Sequence, residues 1–291
     1  MSGAVNKLLS MRYVTRIILF LLGGVLMSAV LANSPFSPFK HARRLSSNHT
    51  PAINIWAWER DEDLSFIDPA KVSVSYFAGM IYVRGSSVSF RPRTQKLKLA
   101  KGTQTVPVFR IESLRGEGMP GSVSTSDARM PDMSAATYVA KTIVSRMKEL
   151  PPSNVVQLDF DALEDERPFY TAILKQLRRE LPANSKISIT ALGSWLLSDR
   201  WLEDGDADEA VAMLFSIGAD KKNILDRIQK QDLDSGTNAE LALGISASEP
   251  DTNRVLFRAH LQNKFDKLYI FNSRPWTQDR LLAITKEAFQ K

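Results

Sequence analysis

The chain has 291 residues, 44% of them hydrophobic and 24% charged, with a formal net charge of +6 and no cysteine. That length can bury a full core. The lack of cysteine excludes a disulfide framework, a thiolate nucleophile and a Cys-ligated zinc site.

The N-terminus carries Lys7, Arg12 and Arg16 ahead of an uncharged apolar run at 17–31. This run has the length of a signal-peptide core and falls short of the roughly 20 residues of a comfortable membrane span. Val30-Leu31-Ala32 suits a signal peptidase, so residues 1–32 are expected to be a cleaved export signal. The alternative is an uncleaved anchor, in which residues 17–31 form the membrane tether. Either way the domain is expected in the periplasm or outside the cell. The basic balance is therefore partly a targeting feature. The remaining lysines and arginines are scattered, without an aromatic-interleaved stripe, and no nucleic-acid partner is expected. Residues 33–52, rich in Pro, Ser and Asn, read as a flexible linker.

From 53 onward the chain reads as one domain. Short apolar segments at 53–59, 72–83, 106–112 and 155–161 are expected strands, followed by others at 186–192, 210–215, 241–246 and 267–271. Helical spacing appears at 134–150, 168–181, 222–230, 252–266 and 277–289. Residues 61–66 also read as a helical turn, and 84–104 as an excursion from the core. Eight strands in alternation with helices predict an α/β fold, the (β/α)8 TIM barrel, with helices irregular or missing after strands one, two and five. A doubly wound sheet is the rival, but no Gly-x-Gly-x-x-Gly turn or Walker loop is present, and no cofactor is expected.

Side chains at strand C-terminal ends of such a barrel meet in a common mouth. The decisive stretch is 155–170, VVQLDFDALEDERPFY. Alternation over Leu158, Phe160 and Ala162 puts Asp159 and Asp161 on one face of the fourth strand. Like charges at the mouth of a buried sheet are costly unless they meet a cation, a basic partner or a substrate. The other strand ends bring Trp58 and Glu59, Arg110 and Glu112, Trp195 and Asn272, with Arg274 and Trp276 just beyond. Carboxylates with tryptophans suit a glycan: aromatic rings stack on sugar faces while carboxylates and Asn pair with hydroxyls. Asp161, Asp159, Glu59 and Glu112 are the candidate catalytic acids. Trp58, Arg110, Trp195, Asn272 and Trp276 are the candidate substrate-binding residues. The plainer readings are an Asp159–Asp161 pair neutralised by Arg110 or Arg167, Glu59 as part of a solvated charge run, and the tryptophans as barrel packing. Met213 and Phe215 read as packing. No metal site is expected, because the histidines are only His41, His49 and His260. Mg2+ or Ca2+ on Asp159 and Asp161 is the remaining option.

The segments WAWERDEDLSFID, QLDFDALEDERPFY and ITALGSWLLSDRWL, with DEAVAMLFSIG, resemble the bacterial family known as domain of unknown function 3142. The likeness covers roughly residues 53–220 and implies a glycoside-hydrolase-like barrel without carrying an activity. A more distant resemblance is to chitinase-like barrels, whose fourth strand ends Asp-x-x-Asp-x-Asp-x-Glu. Asp159 and Asp161 match the last two aspartates, but Leu163 stands at the glutamate and Val156 at the first aspartate. The resemblance thus implies either a hydrolase whose acid has moved or a barrel that binds glycan without cleaving it.

Overall fold

The computed structural model describes residues 52–114, 130–196, 207–217, 221–229, 239–261, 265 and 267–289. The expected export signal and all of the linker except Ala52 lie outside these residues.

The elements run β1 (Ala52–Ala57), β2 (Glu62–Leu64), β3 (Val72–Arg84), β4 (Ser87–Pro92), β5 (Leu97–Leu99), β6 (Thr105–Ser113), α1 (Ala135–Met147), β7 (Val155–Asp159), α2 (Arg167–Glu180) and β8 (Lys186–Leu192). They continue as β9 (Glu209–Met213), α3 (Lys221–Gln229), β10 (Glu240–Ser246), α4 (Pro250–Leu261), β11 (Lys267–Phe271) and α5 (Gln278–Phe289). Eight strands pair in parallel in the order β1-β11-β10-β9-β8-β7-β6-β3, and a β1–β3 pairing closes the ring. This is the (β/α)8 barrel that the strand–helix rhythm predicts.

The alternation of each strand divides the core in two. Outward-facing Ile55, Leu158, Ile189, Leu243 and Ile270 pack under the helices. Inward-facing Trp56, Val108, Val211, Ala242 and Tyr269 form a separate cluster inside the barrel. The helices supply the matching stripes. α1 buries Ala136, Val139, Ala140 and Ile143. α2 buries Phe169, Ile173, Leu174 and Leu177 at the same 3.6-residue spacing, with Pro168 in its first turn.

The departures lie where helices were expected to be weak. Residues 61–66 are not a helical turn: β2 pairs in parallel with β5 in a small second sheet. The reason is a period-two pattern, with Glu62 and Leu64 buried and Asp63 exposed. Glu62 is tolerated inside because Arg60 binds it at 2.5 Å and the Trp276 backbone N–H donates to it at 2.9 Å. After β3 the chain turns back as β4, antiparallel to it. β3 pairs with β1 only as far as Tyr76, and β4 takes up its backbone from Gly79 onward. A β-carbon at Gly79 would lie 2.4 Å from the Phe90 ring, so the hairpin depends on glycine there. After β8 the chain enters a single 3-10 turn at Gly193–Leu196.

Candidate active site

A cavity of about 470 Å³ opens where the barrel strands end. Its polar wall comes from three adjacent strands. Arg110 of β6 and Asp159 of β7 are register partners, and Asp161 follows two residues later. Arg110 donates from Nη1 to Asp159 Oδ2 at 2.9 Å and from Nη2 to Asp161 Oδ2 at 3.2 Å. Thr190 of β8 donates to Asp159 Oδ1 at 2.8 Å. Asp159 is thus sealed between two partners, whereas the Asp161 side chain is 46% exposed and bound through one oxygen.

The apolar lining includes Trp56, Trp58, Phe215 and Phe271. The Phe215 and Phe271 rings stack at 5.5 Å and 4°. Trp56 meets Phe215 edge-on at 6.3 Å. Trp56 is held from within the barrel: its Nε1 donates to Gln157 Oε1 at 2.8 Å. Gln157 Nε2 donates to Ser188 Oγ at 3.0 Å, and Ser188 donates to Glu209 Oε1 at 2.7 Å. Lys267 and Tyr269 complete the chain on Glu209. Every member is inward-facing, so the barrel carries a connected polar network beneath its mouth.

Burial pushes the Asp159 carboxyl above its ordinary value of 3.8; Arg110 opposes this and the neighbouring Asp161 adds to it. Burial alone would weaken the charge on Arg110, but Asp159 and Asp161 outweigh it and hold the guanidinium more firmly protonated. Tyr170, buried and close to both aspartates, stays a neutral phenol, with its pKa well above 10.0.

The cavity therefore gathers Trp58, Arg110, Asp159 and Asp161 from the sequence candidates. Its lining does not include the other five. Glu59 is half-buried and paired with Arg91 of β4 at 2.7 Å. Glu112 is exposed on β6, close enough for Arg110 to feel its charge. Trp195 is buried with its ring centroid 6.4 Å from that of Tyr170. Asn272 is fully buried and accepts from Arg280 at 3.1 Å. Trp276 is buried and donates from Nε1 to the Trp56 carbonyl at 3.0 Å, which ties the end of the chain to β1. The other described lining residues lay outside the sequence candidates, among them Trp56, Thr190, Phe215 and Phe271. Period-two counting back from Trp58 or forward from Tyr269 would have flagged Trp56 and Phe271. Among the described residues, no group of three or more His, Asp, Glu or Cys side chains is arranged to hold a metal ion.

No protein-family model and no curated protein sequence matches the chain. Solved structures do. A protein assigned as chitinase A from Streptomyces coelicolor is 16% identical with a TM-score of 0.56, over 84% of this chain and 98% of that one. The spore cortex-lytic enzyme SleL from Bacillus cereus is 11% identical with a TM-score of 0.51, over 83% of this chain and 75% of that one. A chitinase from Rhizomucor miehei is 11% identical with a TM-score of 0.51, over 81% and 99%. What the chain shares with these proteins is the closed (β/α)8 barrel. At these identities the likeness speaks to fold alone, and chemistry has to be argued from the site.

Proposed function

We propose that the chain is a glycoside-hydrolase-like protein that binds an envelope or extracellular polysaccharide in this mouth and cleaves it with Asp161 as the acid–base group. One observation carries the reading: the Arg110–Asp159–Asp161 cluster shares an open cavity with Trp56, Trp58, Phe215 and Phe271. Aromatic faces suit the C–H faces of a pyranose, and the charged wall suits its hydroxyls. Two carboxylates share one guanidinium, so the cluster carries an excess of negative charge. Asp159 is enclosed by Arg110 and Thr190, so exchange with substrate falls to Asp161. Asp161 protonates the glycosidic oxygen as its bond to the anomeric carbon breaks, and then takes a proton from the attacking water. The second group that hydrolysis requires is a carboxylate or the substrate's own acetamido oxygen.

The chitinases and the cortex-lytic enzyme that share the fold support a glycan as the ligand class. The motifs quoted above support membership of the domain of unknown function 3142 family. The basic-then-apolar stretch at 7–31 supports export.

A second reading, a silent glycan-binding barrel, is favoured by one specific observation. Leu163, which stands where chitinase-like barrels carry their glutamate, is 55% exposed and brings no acid. Reducing-end release from peptidoglycan fragments, chitooligosaccharides and exopolysaccharides, run beside calorimetric binding, separates the two. Turnover that disappears in Asp161→Asn supports the hydrolase. Binding without turnover supports the silent barrel, and neither binding nor turnover contradicts both.

A further inference from the structure

The charge of the cavity sets the kind of glycan it takes. Arg110, Asp159 and Asp161 are the only ionisable side chains among its described lining residues. The guanidinium is committed twice over, Nη1 to Asp159 and Nη2 to Asp161. Glu112 adds a third carboxylate within its field. The wall therefore keeps a surplus of negative charge. Most of the remaining lining is apolar or aromatic, including Met213, Ile217 and Ile224. Such surroundings strengthen a charge interaction well beyond its worth in water.

The three charge classes of sugar fare differently in this environment. A uronate or sulfated sugar would meet like charge, and Arg110, the one cation among the described lining residues, is already engaged. A neutral sugar would pair with the carboxylates through hydroxyls and leave the surplus uncompensated. A protonated amino sugar brings the missing cation together with hydroxyls and a C–H face. Its ammonium can pair with the carboxylates of the wall. We propose that the glycan recognised here is an oligosaccharide of free, de-N-acetylated hexosamine units, its ammonium groups drawn to the Arg110–Asp159–Asp161 wall. The inference rests on the glycan reading of this site and narrows it. Bulk attraction does not produce the same preference, because the chain as a whole carries a formal +6.

Titration calorimetry slightly below neutral pH tests it with oligosaccharides of equal length built from glucosamine, N-acetylglucosamine, glucose and galacturonic acid, and with a lysine oligomer as a cation that offers no sugar. The glucosamine oligomer is expected to bind roughly tenfold or more tighter than any of the others. Asp161→Asn should abolish that preference, Asp161→Glu should keep it, and both should melt like the wild type. Tighter or equal binding of the N-acetylated, neutral or uronate oligomer overturns the charge assignment and leaves the glycan reading standing. Equal binding of the lysine oligomer overturns the assignment as simple ion pairing. No binding of any sugar by the wild type overturns the glycan reading itself.

Discussion

Arg110 and Asp159 face each other across the β6–β7 pairing, and the guanidinium Nη1 donates to Asp159 Oδ2 at 2.9 Å. The Asp159 side chain is only 6% exposed, so without Arg110 its charge would be buried with Thr190 alone as a partner. Arg110→Met is therefore expected to lower stability by about 1–3 kcal/mol, the usual loss when a buried acceptor is left without its partner. Adding Asp159→Asn to Arg110→Met should recover most of that loss. Urea unfolding of the two single variants and the double variant checks it. Strictly additive losses would mean the two side chains do not depend on each other.

The same carboxyl gives a pH signature. Burial, with Asp161 nearby, raises the folded-state pKa of Asp159 above 3.8, the value taken for the unfolded chain. As pH falls, the folded protein takes up this proton before the unfolded chain does. The group's contribution to stability is therefore fully present below the unfolded pKa and is lost as pH rises through the folded pKa. Relative to wild type, Asp159→Asn should gain stability as pH rises across that window. Melting temperatures of the two proteins that run parallel over the acid range would contradict the shift.

Ser216, at the cavity rim, has a φ of 54°, a conformation that non-glycine residues seldom adopt. Its backbone N–H donates to Glu249 at 2.8 Å, and Glu249 also binds Lys221 and Thr252. Partial burial pushes the Glu249 carboxyl up, but these hydrogen bonds win and hold its pKa below the ordinary value. The strained turn carries the lining residues Phe215 and Ile217 on either side. Ser216→Gly should raise stability by up to about 1 kcal/mol with glycan affinity kept. Glu249→Ala should lose about 1–2 kcal/mol and weaken binding as well. Thermal melts and glycan titration read both effects.

What could be read from the sequence followed the range of the interactions involved. Strands and helices repeat an apolar pattern over a few residues, and that local signal carried all eight barrel strands and the helices α1 to α5. β2 misled because Asp61, Glu62 and Asp63 look like one solvated run. Its pairing with β5 and the Arg60 contact to Glu62 come from residues whose roles emerge only in three dimensions. Arg110, Asp159 and Asp161 were legible because charges at the ends of apolar strands need an explanation. Trp195 and Trp276 gave the same signal as Trp58, but which way a tryptophan turns after a strand ends depends on distant partners, such as the Trp56 carbonyl that receives Trp276. Phe215 read as packing, and it does stack on Phe271, yet the stacked pair also lines the cavity.

Gln157 is not itself among the cavity-lining residues but fixes Trp56, which is. Gln157→Leu leaves the indole N–H without its acceptor, and Ser188 without its donor, in the buried interior. The expected loss is about 1–3 kcal/mol of stability, together with weaker glycan binding. Gln157→Glu should keep the acceptor for Trp56 and more of the affinity. Unchanged glycan affinity in Gln157→Leu would show that Trp56 needs no support from below.

The most direct test of the central claim compares wild type with Asp161→Asn and Trp58→Ala on one glycan substrate, measuring reducing-end release and binding together. Wild type should bind and cleave. Asp161→Asn should keep its fold and lose nearly all turnover, and Trp58→Ala should bind several-fold more weakly by loss of stacking. Cleavage by Asp161→Asn at the wild-type rate, with affinity unchanged in Trp58→Ala, would contradict the placement of glycan chemistry in this mouth.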